Sequence, residues 1–348
     1  MIASIGLLSL LVIRKTNMNY TQKPLIKLMK HGKMPGEAGI PKHIETVISN
    51  VFLFDTMVYK VYKNDNAFFN MNFRDIENKN TRFAFTHKDF AWNNVLSPSI
   101  YLELRGVRVV EGKIEFVAPT DDAEELLIVM KRVNTHEVLF ERLMHNEISI
   151  KDAFAIGKQF AQQIKKVRTE KPIGNYFKMF ANDIEDVRSW IDDVPEHKDE
   201  MLKWCNFLEE FRTKNRSWYE GALSDELAFS GDIHSHNALY TNGEFFLMDT
   251  YAPKDSWRIA HELLPFYRLG ADMFALGSME LFESYLKGYE EGSGTKIDRR
   301  LDAPHILYGA TIMVSYLYML KKSDATKSGV ASQYHDFTKD FYQKITRT

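Results

Sequence analysis

Hydrophobic and polar residues follow two different patterns along the chain, and the change lies near Thr135. From Lys42 to Val133 the apolar positions come in short runs rich in β-branched and aromatic residues, which is typical of strands. These runs read HIETVISN, VFLFDTMVYKVYK, SIYLELRGVRVV, KIEFV and ELLIVMKRV. A charged and aromatic stretch over 74–96 predicts one helix that ends before Ser97-Pro98. The first part of the chain therefore predicts a small antiparallel sheet with one helix.

After Thr135 the apolar residues recur at helical spacing. Ile156, Phe160 and Ile164 follow a capping box formed by Ser149 and Asp152, and together they predict a helix over about 150–168. The same reasoning predicts further helices over 176–193, 196–218, 258–290, 304–321 and 333–346. The glycines of 288–296 indicate a flexible loop. The fold class expected from both halves is α+β, with a sheet-rich N-terminal part and a larger helical C-terminal part.

One hairpin interrupts the helical part, between residues 227 and 253. Asn242-Gly243 between two apolar runs is a strong signal for a two-residue type I′ turn. Such a turn pairs Thr241 with Glu244, and extending the register outward pairs Asn237 with Met248. Asn237 and Asp249 are therefore expected together at the open end of the hairpin. Asp232 precedes Asn237 by five residues, in the loop that leads into the first strand.

This set of side chains fits phosphoryl transfer. Mg²⁺ prefers hard oxygen ligands, and the attacking hydroxyl needs a carboxylate that orients it and accepts its proton. On this interpretation Asp232 is the catalytic base, and Asn237 and Asp249 bind Mg²⁺. A lysine on a strand of the N-terminal sheet should then bind the α- and β-phosphates, with an acidic partner on the following helix. Lys60 fits the lysine and Asp89 fits its partner.

The same segments resemble the aminoglycoside phosphotransferase-like family, and most closely its uncharacterised bacterial subgroup. The similarity rests on the GDxHxxN segment, the hairpin and Asp after it, IETVISNVFLFDTMVYKVYK (44–63) and DSWRIAHEL (255–263). It covers about residues 40–270. It implies a protein-kinase-like bilobal fold, ATP as the phosphate donor, and a small hydroxyl compound as the acceptor. It also implies the same roles for Lys60, Asp89, Asp232, Asn237 and Asp249.

The chain departs from the family pattern at several positions. Ser230 occupies the place of a histidine that braces the catalytic loop, and Asp89 replaces a longer glutamate. Glu262 lies near the place of a structural aspartate, and DTYAP follows the metal-binding position. These departures motivate a second hypothesis: a pseudokinase-like module that binds a nucleotide without transferring phosphate.

A third hypothesis comes from the segment DIHSH, which resembles the start of metal-dependent phosphoesterases. His234 and His236 alternate along an extended segment and could bind zinc or manganese. Such a site needs further ligands, and the later histidines at 261, 305 and 335 lie in helical contexts without the expected partners. Packing within the loop is the preferred interpretation of both residues.

Composition narrows the class of protein. The chain has 348 residues, 45% of them hydrophobic and 26% charged, with a net charge of -2. This composition is typical of globular proteins and offers no basic surface for general nucleic-acid binding. The single cysteine, Cys205, excludes an intrachain disulfide and is expected to be buried and inert. A cytoplasmic protein is therefore expected. The resemblance implies a small-molecule substrate, and the oligomeric state stays open.

The expected domains follow from these patterns. Residues 1–17 form an apolar tail whose run would span about 18 Å as a helix, short of the roughly 30 Å of a bilayer core. This tail is interpreted as the product of an upstream start codon, a packed helix or a weak anchor, so stable membrane insertion is not expected. Residues 18–132 are the predicted nucleotide-binding lobe. Residues 133–348 are the predicted helical lobe, with the catalytic loop at 228–237 and the metal-binding hairpin at 238–250.

Overall fold

The computed structural model describes two compact units. The first contains the described residues of Arg14–Thr135 and Met248–Trp257, and the second those of His136–Leu247 and Arg258–Thr348. The segment that follows the Asn-Gly hairpin thus belongs with the N-terminal unit. The described residues are 22–46, 48–65, 76–166, 176–192, 194–221, 228–230, 233–250, 259–261, 263–323 and 328–347. The predicted tail 1–17 and Asp232 lie outside them.

A six-stranded antiparallel sheet forms the first unit. Its strands are β1 (Lys42–Glu45), β2 (Ser49–Leu53), β3 (Met57–Tyr62), β4 (Tyr101–Val110), β5 (Lys113–Val117) and β6 (Glu125–Lys131). They lie in the order β1-β2-β3-β6-β4-β5. The β4–β5 turn uses Glu111 and Gly112, both with positive φ, as a type I′ hairpin requires. The strands predicted from the sequence are all present.

Among the residues that the structure describes, two helices pack on this sheet. Helix α1 (Lys23–Lys30) was not predicted; its apolar side chains join a core with Tyr59 and Val61 of β3. Helix α2 (Lys79–Leu96) contacts the other face, where Phe85 packs edge-on against Tyr62 at 4.8 Å between ring centroids. Successive residues of a strand point to opposite faces. The faces of β3 therefore differ: Lys60 and Tyr62 share the face that α2 covers.

The second unit is mainly helical. Its helices are α3 (Leu139–Met144), α4 (Ile150–Lys166), α5 (Tyr176–Ile191), α6 (Lys198–Lys214), α7 (Arg216–Gly221), α8 (Leu263–Asp272), α9 (Met279–Ser293), α10 (Asp302–Ser323) and α11 (Ser328–Thr346). In the described part of this unit, four short strands accompany them: β7 (Ala228–Ser230), β8 (Ala238–Thr241), β9 (Glu244–Leu247) and β10 (Ile259–His261). The predicted α+β class, with an antiparallel sheet in the N-terminal part and a mainly helical remainder, is confirmed.

The segment predicted as a helix over 258–290 is divided in the structure. Strand β10, α8, a π-helical turn over Met273–Gly277 and α9 occupy it in sequence. Ser278 caps the start of α9 by accepting a hydrogen bond from the Leu281 N–H. A helical period alone does not reveal such a break, because the apolar face continues across it.

The flexible loop predicted over 288–296 is wrong at its start, because α9 continues to Ser293. Its glycines serve packing: a Cβ on Gly288 would lie 2.0 Å from the Phe154 carbonyl oxygen of α4, and one on Gly292 would lie 2.4 Å from that of Lys158. Gly157 of α4 approaches α9 in the same way. These glycines let the two helices come into close contact. The helix ends at Gly294, which has the left-handed φ of 76°.

The single cysteine, Cys205, is fully buried, as predicted, and burial raises the pKa of its thiol to about 12. Within the described part of the chain, no helix combines the length and apolar character needed to cross a bilayer.

Candidate functional site

A buried lysine lies at the centre of the N-terminal unit. Lys60 is on β3, between β2 and β6, and its side chain is 6% exposed. Burial of an ammonium group is unfavourable unless acceptors or opposite charges surround it. Two carboxylates, Asp89 and Asp249, provide that compensation.

Asp89 comes from the helix α2. Its Oδ2 lies 4.0 Å from Lys60 Nζ and accepts a 2.6 Å hydrogen bond from the Tyr62 hydroxyl. Its Oδ1 accepts a 3.0 Å hydrogen bond from Asn93 Nδ2, one turn further along α2. Both oxygens of the Asp89 carboxylate therefore accept a hydrogen bond. Its distance to Lys60 Nζ, 4.0 Å, is longer than either of these bonds.

Asp249 comes from the segment that follows strand β9. Lys60 Nζ donates a 2.6 Å hydrogen bond to Asp249 Oδ1. The backbone N–H of Asp249 donates to the Tyr101 hydroxyl at 2.8 Å. Asp249 has a φ of 52°, a left-handed conformation that few residues other than glycine, Asn and Asp adopt readily. Its side chain is 52% exposed, so the carboxylate is accessible as well as paired.

The neighbouring residue Thr250 anchors this segment. Its hydroxyl accepts a hydrogen bond from Trp92 Nε1 at 3.1 Å, and its carbonyl oxygen accepts one from Asn93 Nδ2 at 2.8 Å. The Asn93 amide thus contacts both Asp89 and Thr250. These bonds attach the segment to the same helix that carries Asp89, and they compensate for the unfavourable backbone conformation of Asp249.

The charges in this group are strongly coupled. Burial alone would lower the pKa of the Lys60 ammonium, but the carboxylates of Asp249 and Asp89 outweigh it, so that the pKa lies above its ordinary value. Burial raises the pKa of Asp89 to about 6, against the opposing effects of Lys60 and Tyr62. Burial and the nearby Asp249 also raise the pKa of Tyr101. Lys60 is therefore charged at neutral pH, and Asp89 is ionised mainly above pH 6.

The second unit contains Asn237 and the Asn-Gly hairpin predicted from the sequence. Asn237 ends the short 3₁₀ turn Ser235–Asn237 just before β8, and it is partly exposed. The predicted hairpin register is confirmed from Thr241↔Glu244 to Ala238↔Leu247, with positive φ at both residues of the Asn-Gly turn. Asp232 lies outside the described residues, as do Glu262 and the side chain of Ser230, so their expected roles stay predictions.

Asp272 fixes the turn that carries Asn237. Its Oδ2 accepts a 2.9 Å hydrogen bond from the Ser235 N–H, and its Oδ1 accepts a 2.7 Å bond from the Tyr334 hydroxyl. Asp272 is completely buried at the end of α8, and burial raises its pKa. A buried carboxylate bonded to a loop backbone restricts that loop to one conformation.

The two histidines of the DIHSH segment pack against aromatic rings. His236 stacks on Phe140 at 3.7 Å, and both His234 and His236 contact Tyr316. The three-residue metal-ligand group found among the described residues is a different one, formed by His197, Glu200 and His335. There Glu200 already pairs with Lys339 at 2.7 Å. The geometry favours a packing role for His234 and His236.

Sequence reasoning missed several residues of these groups, among them Tyr62, Asn93, Tyr101 and Asp272. Two of them had a usable signal. Tyr62 is two residues from Lys60 on the same strand face, and Asn93 is four residues from Asp89 on the same helix face. Tyr101 and Asp272 reach their partners over more than thirty intervening residues, which no local pattern indicates.

Comparison with known proteins gave matches to solved structures only: no family model and no curated protein matches this chain. The ADP-bound aminoglycoside phosphotransferase APH(2'')-Ib is 12% identical, with coverage of 90% of this chain and 96% of its own and a TM-score of 0.43. A choline/ethanolamine kinase family protein from Mesorhizobium loti is 12% identical, with coverage of 91% and 94% and a TM-score of 0.47. The choline kinase LicA from Streptococcus pneumoniae is 14% identical, with coverage of 89% and 98% and a TM-score of 0.45.

The three matched proteins are named as an aminoglycoside phosphotransferase and as choline or choline/ethanolamine kinases, at identities of 14% or less. Because all three TM-scores are below 0.5, they support no inference about the residues or substrates of this chain. The proposals that follow depend on its own side chains.

Proposed function

We propose that this protein is an ATP- and Mg²⁺-dependent phosphotransferase that moves the γ-phosphate of ATP to a hydroxyl group of a small molecule. The observation that carries the proposal is the buried Lys60 ammonium with the Asp249 carboxylate at 2.6 Å and the Asp89 carboxylate at 4.0 Å. Stability does not require such an arrangement, because apolar residues of similar volume usually serve a core as well or better. A buried lysine between two carboxylates, one of them exposed, is typical of a site where charge is needed.

Lys60 is the proposed phosphate-binding residue. Its ammonium is charged at neutral pH and points to the face of β3 that α2 covers. In the described state it binds Asp249, and phosphate oxygens would replace that carboxylate when a nucleotide binds. Asp89 is held by Tyr62 and Asn93, so it keeps the lysine oriented through this exchange. Asp89 is thus proposed as a positioning residue.

Asp249 is the proposed magnesium ligand of the N-terminal unit. It offers hard carboxylate oxygens, which Mg²⁺ prefers, and its side chain is half exposed. Its backbone is fixed by Tyr101 on one side and by Thr250 on the other. Asn237 is the second proposed ligand, on a turn that Asp272 holds in place. Bound Mg²⁺ would neutralise phosphate charge and align the transferred group.

Asp232 is the proposed catalytic base. It would orient the acceptor hydroxyl and accept its proton as the new P–O bond forms. Its support is its spacing from Asn237 and from the hairpin. The other proposed residues position the reactants, so the protein itself contributes little covalent chemistry.

A cross-strand row beside Lys60 fits the nucleobase. Ile44 of β1 pairs with Val51 of β2, and Val51 pairs with Lys60 of β3, so the three side chains share one face. Ile44 is 39% exposed although it is a large apolar residue. An apolar surface next to a phosphate-binding lysine suits a flat, largely apolar base, and burial of Ile44 on binding would contribute to affinity.

The deciding experiment is calorimetric titration of ATP, with and without Mg²⁺, into the wild type and two variants. Asp249→Asn should lose the Mg²⁺-dependent part of the affinity, since it removes a charged ligand while keeping the size of the side chain. Asp55→Asn, an exposed residue of the β2–β3 turn in the same unit, is the matched control and should bind as the wild type does. Absence of ATP binding under all conditions would refute the proposal.

Turnover distinguishes transfer from binding alone. Asp232→Asn should remove most phosphate transfer to a pool of small alcohols, amino sugars and amino alcohols while ATP binding stays near wild type. Binding of Mg·ATP by the wild type without transfer to any acceptor would instead support the pseudokinase-like module. Normal turnover in Asp232→Asn would show that the base is another residue.

A further inference from the structure

A cavity of about 410 Å³ lies on the other face of the N-terminal sheet from Lys60. The strand register shows this directly. Glu45 pairs with Asn50, and Asn50 pairs with Val61, whereas Lys60 belongs to the neighbouring row. Since neighbouring rows of a sheet point to opposite faces, the side chains of Glu45 and Asn50 face α1. Both line the cavity.

Positive charge dominates the lining. Lys23, Lys27 and Lys30 of α1 all line it, at a spacing of four and three residues that places them on one side of the helix. Lys63, just after β3, adds a fourth ammonium and pairs with Glu45 at 2.8 Å. The other carboxylate of the lining is that of Asp65. Four ammonium groups therefore surround the cavity together with two carboxylates.

The positive groups around the cavity also lower the pKa of the Glu45 carboxyl. Its hydrogen bond with Lys63 lowers its pKa, and the charges of Lys30 and His43 lower it further. An anion placed in the cavity would experience the same positive groups. The lysines in the last turn of α1 also interact favourably with the negative end of the helix dipole. That interaction explains neither the cavity nor the lysine at the start of the helix.

Asn50 provides a second and independent observation. It is 2% exposed, and its Oδ1 accepts a 2.9 Å hydrogen bond from His43 Nε2, while the His43 ring stacks on Phe52. This contact fixes the amide plane. Its Nδ2 has no hydrogen-bond partner among the residues that the structure describes. A buried amide N–H without an acceptor is unfavourable and is rare in native proteins unless a ligand completes it.

We propose that this cavity binds the phosphate group of a free phosphorylated small molecule. Asn50 Nδ2 donates to a phosphate oxygen, and Lys27 and Lys30 with their neighbours neutralise its charge. Ile26, which also lines the cavity, contacts the apolar part of the ligand. The site is separate from the proposed nucleotide site, because the sheet lies between it and Lys60.

Shape and charge favour a free molecule over an anionic membrane surface. The volume falls within the roughly 300–1,000 Å³ typical of small-molecule pockets. The lining includes two carboxylates, Glu45 and Asp65, which a flat anionic surface would be forced to approach. A single phosphate group can instead contact the lysines and the amide and avoid them.

The test is calorimetric titration of inorganic pyrophosphate in the presence of EDTA. Lys60→Ala is the background, so that the proposed nucleotide site contributes nothing. We expect saturable binding that weakens as salt increases, and a loss of about tenfold or more in affinity on adding Lys27→Gln with Lys30→Gln. Both lysines are exposed, so these substitutions leave the fold intact. Lys33→Gln, an exposed lysine outside the lining, is the control and should bind as the background does.

A second variant tests the amide. Asn50→Asp keeps the size of the side chain and replaces the donor with a carboxylate, so pyrophosphate binding should be lost. Equal affinity in the background and the double-lysine variant would overturn the proposal, as would absence of saturable binding. Sedimentation with phosphatidylserine vesicles, without pyrophosphate binding, would also overturn it by assigning the face to a membrane. None of these outcomes depends on ATP binding at Lys60.

Discussion

At the scale of single residues, the charges around the buried lysine depend on the surroundings of one carboxylate, that of Asp89. Asp89 has three neighbours: the Lys60 ammonium, the Tyr62 hydroxyl and the Asn93 amide. Burial opposes its ionisation more strongly than these three favour it, which is why its pKa rises to about 6. The distance to Lys60, 4.0 Å, is longer than the 2.6 Å from Lys60 to Asp249. Lys60 is consequently bound more closely by Asp249, the proposed magnesium ligand, than by Asp89.

This shift predicts a pH dependence of stability. The ordinary pKa of the Asp89 carboxyl is 3.8, and the folded value is about 6, so between these values the folded state holds a proton that the unfolded state has lost. The contribution of Asp89 to the free energy of unfolding is therefore complete below pH 4 and is lost as the pH rises through 6. Urea unfolding of the wild type and Asp89→Asn at several pH values measures it.

The comparison between the two proteins isolates the residue. The free energy of unfolding of the wild type, minus that of Asp89→Asn, should fall by roughly 1–3 kcal/mol between pH 4 and pH 7. Carboxylates that do not interact with Asp89 titrate equally in both proteins, and their contributions cancel. A difference that stays constant, or that rises with pH, would show that the pKa of Asp89 is not raised in the folded state.

At the scale of elements, two turns and one helix pair position the groups described above. The type I′ turns at 111–112 and 242–243 both place two consecutive residues at positive φ, which sets the register of their hairpins. Gln159 of α4 holds the second turn by donating to the Gly243 carbonyl oxygen at 2.8 Å and accepting from the Phe245 N–H at 2.9 Å. Helix α4 in turn depends on its close contact with α9.

The glycines of that contact predict a specific loss of stability. Gly288→Ala would place a Cβ 2.0 Å from a backbone oxygen of α4, so the helices would have to separate. We expect the free energy of unfolding to fall by about 1–3 kcal/mol, although alanine favours helix formation more than glycine does. Denaturant titration followed by circular dichroism measures this change.

A matched control is available in another helix of the same unit. A Cβ added to Gly329 of α11 would meet no atom of the described residues within 4 Å, and the φ of Gly329 is not positive. Gly329→Ala should therefore leave stability unchanged or raise it slightly. Equal effects of the two substitutions would mean that α4 and α9 are not in close contact through their glycines.

At the scale of the whole molecule, the buried lysine and its two carboxylate partners all belong to one of the two units. Ligand binding to the folded state raises the stability of the protein by mass action. This effect can be measured without a known acceptor and without turnover, and so it separates binding from catalysis.

Mg·ATP should therefore stabilise the protein against unfolding. At a ligand concentration about 100 times the dissociation constant the gain is about 2.7 kcal/mol. We expect Asp232→Asn to keep this stabilisation, because it removes only the proposed base, and Lys60→Ala to lose most of it. Thermal unfolding with and without Mg·ATP measures the shift, and an unchanged midpoint in the wild type would contradict the proposed site.

Much of the local structure could be predicted from the sequence. The strand-rich N-terminal part, the capping box at Ser149 and the Asn-Gly hairpin with its register are all present in the structure. These features depend on interactions among residues close in the chain: side-chain alternation, a cap over one turn and a backbone conformation that two residues allow. Lys60 lies on a predicted strand and Asp89 on the predicted helix that follows, while their roles, which the family resemblance implies, stay predictions.

The remaining features depend on contacts between elements that are distant in the chain. The unpredicted helix α1, the close α4–α9 contact and the cavity beside Asn50 arise where elements distant in the chain meet, and helical period or composition carries no information about such contacts. The same holds for Tyr101, which binds the backbone of a residue 148 positions away. Sequence by itself determined which residue types were available and which local elements they form. Long-range packing determined which carboxylate the buried lysine binds, because burial and distance set the energy of each charge.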